Sequence, residues 1–468
     1  MLLGGAATVL LGAGAPVRLD AVAPAAARPH RARLIVVPAG RWLAGWATAP
    51  QSPGPGTRAA AGFRDQTIRQ IVSTSFGGSV LRVRLTNVYG RRALTVGGAS
   101  IAVQRAGAAL IPGTIRPLTF AGRSSALIAP GGQALSDPVR LTVAPLGHLA
   151  VSLFAPGATG PATEHAQAEQ VNYVAAGSRA LTASAAAFTA RTTSWYFLAG
   201  VDVRAPARAR GTVVALGDSI TDGVGSEVNA DGRWPNDLAR RLVAASAGLS
   251  IVDEGIGGNR LLTAAGCCGT DALARFRRDV LGQPGVRDVI VLEGINDIGS
   301  GASHDPSTAP HTAVTALQIV QGYERMIALA HGAGLRIFGA TLTPFQGARY
   351  WTPAGEATRE AVNRWILTSG AFDGVIDFAA AVADPADAQR LAPADDSGDH
   401  LHPDDAGYRA MADAVDLARL GATPPAGQLP QTSRATSTII SSLARSSSMV
   451  SRLPSSVEEK PHWGDRHS

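Results

Sequence analysis

The apolar pattern of this chain changes period once, near residue 206, and that change limits the fold more than any other feature. From about Arg41 to Ala205 apolar and polar residues alternate, as in "SVLRVRLTNVYG", "HLAVSLFAP" and "SWYFLAGVDV", with Gly and Pro between the runs. Period two puts one face of each strand in a core. Many short strands at this spacing predict a β-sandwich or jelly roll over residues 41–205. No helix of convincing length is expected there. Arg82 and Arg84 alternate with Leu81, Val83 and Leu85, so they read as the solvated face of a strand.

Beyond "RAPARARG" short apolar runs alternate with helical stretches. Thr212–Leu216, "LSIVDEGI", "DVIVL", "LRIFGATLTP" and "GVIDF" read as five strands. Helices are expected at Trp234–Ala247, around "ALARFRRDVLG", at Thr312–His331, at Gly355–Leu367 and at Asp404–Leu420. Strands alternating with helices predict a parallel sheet covered on both faces, an α/β domain over 206–420. In strand order 2-1-3-4-5 the turns after strands one, two and three would converge on one crevice, where open α/β sheets bind ligands.

Those turns carry polar groups. "GDSITDG" follows strand one, "EGIGGNR" strand two and "EGINDIG" strand three, while "SGDHLHPDDAGY" leads into the last helix. Ser219 is not in a G-x-S-x-G elbow, because Thr221 stands where the second glycine would be. A phosphate-binding P-loop needs a lysine, and the only lysine is Lys460. Arg260 replaces the third glycine of a dinucleotide fingerprint. A serine hydroxyl attacks only when a base takes its proton, and the base needs an acceptor to orient it. Asp399 and His402 are three residues apart, close enough for that pairing. The N–H groups of Ser219 and Gly258 and the amide of Asn296 could hold a tetrahedral oxyanion. Pro403 fits the first turn of the closing helix, with Asp404 and Asp405 at its positive end.

Other readings stand beside these. "DHLHPDD" could hold a metal through His400 and His402, although no matching ligand set occurs elsewhere, and a solvated His400 is the simpler reading. Asp297 and Asp218 could merely satisfy turn amides. Trp234 and Trp365 read as core, and Arg260 as an exposed loop residue, with contact to an acyl or sugar group as its alternative. The two cysteines, Cys267 and Cys268, are adjacent and cannot staple distant elements.

The chain resembles the SGNH, or GDSL, hydrolases over about Thr212–Leu420. The resemblance rests on "GDSITDG" with Ser219, "GIGGNR" with Gly258 (Gly257 is the alternative register), "GIND" with Asn296 and "DHLHP" with Asp399 and His402, in that order. It implies a flavodoxin-like sheet and a carboxylic ester hydrolase with no cofactor and no metal. Its triad would be Ser219, His402 and Asp399, its oxyanion donors Ser219, Gly258 and Asn296. The family also implies that the segment after strand five carries the histidine loop back to the serine. The substrate expected is a small-molecule or polysaccharide ester, with short O-acyl groups on carbohydrate favoured. A lipase or phospholipase, an acyltransferase and a non-catalytic binding protein of the same fold are the alternatives.

Residues 1–27 look like a secretory signal, charge-free from 2 to 17 but without a basic start. A membrane span is not expected. Basic residues exceed acidic ones by six, yet no run of like charge and no nucleic-acid motif appears. From 421 to 468 the composition falls to Ser, Thr, Pro and Arg, as expected of a disordered tail.

Overall fold

Alternation in the first half does form two antiparallel sheets. The computed structural model describes residues 42–421. The expected signal-like segment and, apart from Gly421, the expected tail lie outside the described residues. One sheet runs in the order β1 (Trp42–Ala47), β8 (Leu198–Arg204), β3 (Gly78–Thr86) and β5 (Val139–Val143). The other runs β7 (Asn172–Ala176), β2 (Gln66–Thr74), β6 (Gly147–Ala155) and β4 (Gly98–Ala106), with short strands at its margins. Leu81, Val83 and Leu85 of β3 share one core with Ile68 and Val72 of β2 and Leu149, Val151 and Leu153 of β6. That common core makes the two sheets a sandwich.

The second half is a parallel sheet of β10 (Leu249–Gly255), β9 (Gly211–Gly217), β11 (Val286–Leu292), β12 (Arg336–Ala340) and β13 (Gly374–Ile376), in that spatial order. This is order 2-1-3-4-5. Gly217 pairs with Gly255 on one side and with Leu292 on the other. Three strands therefore end level, and their three turns start side by side. All seven residues of β9 are buried, as expected of a central strand covered on both faces.

The helices covering the sheet are α2 (Trp234–Ala244), α3 (Ala316–Gly332), α4 (Pro353–Thr368) and α5 (Asp405–Asp413). All four differ from the sequence expectation at one end or both, and two of the differences have a visible cause. α3 starts at Ala316 because Thr315 and Gln318 form a reciprocal capping box there. α5 ends at Asp413, and Arg241 takes the Ala412 and Val415 carbonyls. Trp234 is fully buried, and Trp365 stacks on Tyr323.

The sandwich and the parallel sheet pack directly together. Ala44 and Ala47 of β1 belong to the core of the parallel region, and the Ala44 N–H donates to the Pro284 carbonyl at 3.0 Å. Arg82 and Arg84 are not a solvated face. Both bind the buried Asp202 carboxylate, at 2.8 and 2.9 Å, and Arg84 also donates to Gln283 across the contact at 2.7 Å. On the polar face of β3, Arg84 thus meets the other half of the chain, which alternation alone could not show. Among the described residues no helix is long and apolar enough to cross a membrane.

Candidate active site

β9 delivers Ser219 to the level end of the sheet. Gly217 must be glycine, since a Cβ there would fall 2.2 Å from Thr221 Oγ1 and 2.5 Å from the Leu292 carbonyl. Asp218 then caps the one-turn helix α1 (Ser219–Asp222) by accepting the Ile220 N–H at 2.9 Å. Gly223, in the left-handed region at φ +91°, ends that turn. Ser219 is thereby fixed at a sharp corner with 6% of its surface exposed.

His402 Nε2 lies 2.8 Å from Ser219 Oγ, and His402 Nδ1 lies 2.5 Å from Asp399 Oδ2. The other Asp399 oxygen accepts the backbone N–H groups of His402 and Leu401, at 2.8 and 2.9 Å. Partial burial pushes the Asp399 carboxyl upward. The hydrogen bonds and charge of His402, with the Leu401 N–H, outweigh that and hold it below the usual carboxylate range. Asp404 caps α5 through Ala406 and Gly407, so Pro403 precedes the helix instead of opening it. Tyr408 of α5 donates to the Val224 carbonyl at 2.5 Å, tying the histidine loop to the turn after Ser219.

The second turn separates the two glycine registers. The Gly257 N–H is spent on Asp222 Oδ2 at 3.0 Å. Gly258 sits at φ +72°. Neither its N–H nor that of Ser219 has an acceptor among the described residues. A Cβ on Gly258 would meet Cys268 Sγ at 2.5 Å. Cys267 and Cys268 are joined as a disulfide between neighbours. Asn296 donates one Nδ2 hydrogen to the Asn259 carbonyl at 2.9 Å and accepts from Tyr350 Oη at 3.1 Å, leaving its second hydrogen free. Ser219, Gly258, Asn296 and His402 line one crevice of about 230 Å³. All five residues expected from the sequence thus meet: four line the crevice, and Asp399 stands behind His402.

Asp297 accepts the Leu261 and Leu262 amides at 2.7 and 3.0 Å, as turn satisfaction predicts. His400 pairs with Asp396 and His402 with Asp399, so the two imidazoles face different carboxylates. No group of three or more metal-type side chains gathers among the described residues. Arg260 corrects its expectation. It is 4% exposed, lines the crevice and donates to the Pro310 and Thr308 carbonyls, bracing the far wall.

Arg275 was not expected in the site. Fully buried, it donates to the Gly217 carbonyl at 2.9 Å, the Glu254 carbonyl at 2.7 Å and Asn259 Oδ1 at 2.9 Å. It therefore ties the end of β9 to the end of β10 and to the glycine turn. Its signal was present: Ala272, Arg275 and Phe276 share the buried helical face at spacing i, i+3, i+4. Gln167, from the sandwich, also lines the crevice, and nothing in the sequence marked it.

Residues 215–410 match the model of the GDSL-like lipase/acylhydrolase family. No curated protein matches the chain. Among solved structures, a catalytic mutant of an acetylxylan esterase from Geobacillus stearothermophilus is 21% identical; the match covers 46% of this chain and 95% of that one, with a TM-score of 0.35. A GDSL-like lipase from Bacteroides thetaiotaomicron is 18% identical, over 46% of this chain and 89% of that one, with a TM-score of 0.33.

Proposed function

We propose, for a chain whose residues 215–410 form an SGNH/GDSL hydrolase domain and which is accordingly a carboxylic ester hydrolase, that Ser219 is the nucleophile and short acyl esters are the substrates. The carrying observation is the relay from Ser219 Oγ through His402 to Asp399 at 2.8 and 2.5 Å. His402 Nε2 takes the serine proton as Oγ attacks the ester carbonyl. The carbonyl electron pair moves to oxygen, and the N–H groups of Ser219, Gly258 and Asn296 receive that charge. On collapse, His402 gives its proton to the leaving alcohol and an acyl-serine remains. Water then attacks the acyl-serine while His402 takes its proton, and a second collapse returns the carboxylic acid and free Ser219. Asp399 stays ionised and holds the imidazolium throughout.

The crevice wall supports a small acyl group on a polar alcohol. Val224, Tyr350 and Leu401 give the crevice a short apolar patch, and Gln167, Ser300, Ser303, Thr308 and Arg349 give it a polar side, beside Gly257, Gly258 and Gly299. A long acyl chain needs an enclosed apolar wall, and these residues do not form one. O-acylated carbohydrate is the substrate class this lining fits best. We place the enzyme outside the cell. The charge-free stretch 2–17 and the Cys267–Cys268 disulfide both support that reading.

The test is a nitrophenyl ester series from acetate to palmitate, run with acetylated xylan and a phospholipid. Acetyl to butyryl esters should show the highest kcat/KM. Ser219→Ala should lower it by roughly three to six orders of magnitude without unfolding the protein. A series peaking at lauryl or longer would move the reading to a lipase. Near-full activity in Ser219→Ala would refute the nucleophile.

A further inference from the structure

His165 is a buried histidine of the sandwich, in the two-residue strand Glu164–His165 that pairs with Trp195–Tyr196. Its Nδ1 lies 3.0 Å from the Ala49 carbonyl. Its Nε2 lies 2.9 Å from Asp222 Oδ1 and 3.2 Å from the Gln167 carbonyl. A carbonyl or carboxylate oxygen only accepts, so both ring nitrogens donate and the ring sits as an imidazolium beside a carboxylate. Asp222 is the last residue of α1, three positions after Ser219. Its second oxygen accepts the Gly257 N–H at 3.0 Å. The chain of contacts thus runs from the sandwich, through the nucleophile turn, to the residue before Gly258.

The surroundings hold this chain rigid. Arg233 donates to the Asp222 carbonyl and, at 2.5 Å, to the Ala168 carbonyl, clamping the nucleophile turn and the His165 segment together. Gln167 approaches so closely that a Cβ on Gly257 would fall 1.8 Å from its Oε1. Nothing in the triad requires a sandwich histidine. What the contact does fix is the plane of the Ile256–Gly257 peptide, one residue ahead of the peptide that carries the Gly258 N–H.

We propose that His165 is a positioning residue of the ester-cleaving reaction: it holds the Asp222 carboxylate, which holds the Gly257 amide and aims the Gly258 N–H at the developing oxyanion. This rests on the reading of Ser219 as nucleophile and Gly258 as donor. Loss of one oxyanion donor costs about 10²–10³ in kcat, so a misdirected one should cost somewhat less. The ground-state carbonyl gains little from that donor, and KM should hardly move.

The experiment compares wild type, His165→Ala, His165→Gln, Asp222→Asn and Ser219→Ala on nitrophenyl acetate. Rates are expressed per active site titrated with a fluorophosphonate. His165→Ala and Asp222→Asn should lower kcat by about ten- to a hundredfold with KM within about threefold. Gln Nε2 can replace the imidazole Nε2 as donor, so His165→Gln should recover part of the loss. Asp222→Asn keeps the side-chain shape and carries the test if His165→Ala does not fold. Wild-type kcat per site in Asp222→Asn and in either His165 variant would overturn the proposal. So would a loss confined to the number of titratable sites, which is what a merely structural histidine would give. The underlying reading fails separately, if wild type cleaves no ester or Ser219→Ala cleaves it equally fast.

Discussion

Arg69 in the sandwich and Arg275 in the parallel region are both fully buried, yet they do different work. Arg69 donates to Ser152 Oγ at 3.0 Å and to the Ala108 and Thr182 carbonyls at 2.6 Å each, pinning loops onto β2 and β6. Burial, with no carboxylate partner at hand, pushes its guanidinium down to about 10. Arg275 instead ties together the strand ends that carry Ser219 and Gly258, and it sits by the carboxylates of Asp279 and Glu293. An antiparallel sheet spreads its polar residues along the strands. A parallel sheet delivers them to one edge. Arg69 therefore holds the shape of the first region, and Arg275 holds in place the strand ends that carry the crevice of the second.

After loss of the nucleophile itself, loss of the acid behind His402 should give the largest effect. Asp399→Asn leaves the backbone contacts of the loop possible but removes the charge that orients His402. It should lower kcat by about 10²–10⁴, read from initial rates on nitrophenyl acetate, with the melting temperature little changed. Retained turnover would mean that the loop alone orients the imidazole.

The two arginines sharpen the comparison directly. Arg275→Met strands two carbonyls and Asn259 Oδ1 and removes the cation beside Glu293, while Asp279 keeps Arg278, and should destabilise by about 3–5 kcal/mol. Arg69→Met strands carbonyls only and should cost about 1–3 kcal/mol. Denaturant unfolding reads both. Kinetics on the folded fraction should separate them further: Arg69→Met keeps wild-type kcat, and Arg275→Met loses tenfold or more by a rough estimate from a displaced oxyanion donor. Equal kinetics would erase the distinction drawn between the two regions.

A smaller effect belongs to the crevice wall. Arg260→Ala removes the donors to the Thr308 and Pro310 carbonyls while leaving Ser219, His402 and Asp399 untouched. The slackened wall should raise KM several-fold for acetylated xylan, with kcat nearly constant, by loss of uniform binding. A fall in kcat at constant KM would instead assign Arg260 to the transition state.

The contrast also explains what could be read from the chain. Ser219, Gly258 and Asn296 were legible because each sits in a turn at a strand end, and Asp399 and His402 because they sit in the loop that enters the last helix. There the local needs of capping, tight approach and left-handed backbone select glycine and short polar side chains. Strands alternating with helices gave a parallel sheet, and the flavodoxin-like order 2-1-3-4-5 that makes the turns converge came from the resemblance to the SGNH hydrolases. Arg82 and Arg84 were misread because period two tells which face a side chain takes and not what covers that face. Asp202, which pairs with both arginines from the neighbouring strand, is 118 residues from Arg84 in sequence, and Gln283, which meets Arg84 from the other half, is 199. Arg260 failed for the same reason, its partners being carbonyls near residue 309. His165 carried no local signal at all, since its meaning comes from Asp222 on the other half of the molecule.

The smallest effect is a slope of stability with pH, and its sign follows from where the parallel region keeps its acids. Burial raises the Asp297 carboxyl to about 6, although the Leu261 and Leu262 amides and Arg260 pull it down. Burial likewise raises Asp218 and Glu293. A carboxyl raised on folding binds its proton more tightly in the folded state than in the unfolded one. Between the ordinary carboxylate range and the raised value the folded state holds more protons, so stability falls as pH rises. Asp399 has the opposite sign, but its folded value lies below the ordinary range, so its contribution is complete before pH 5. The melting temperature should therefore decline from pH 5 to pH 8, measured by calorimetry at constant ionic strength. Asp218→Asn keeps an oxygen for the Ile220 N–H and cannot titrate, so it should flatten that decline. A melting temperature that rises across this window would show that these carboxylates are ionised and fully compensated, and that the parallel region carries its buried charge as easily as the sandwich does.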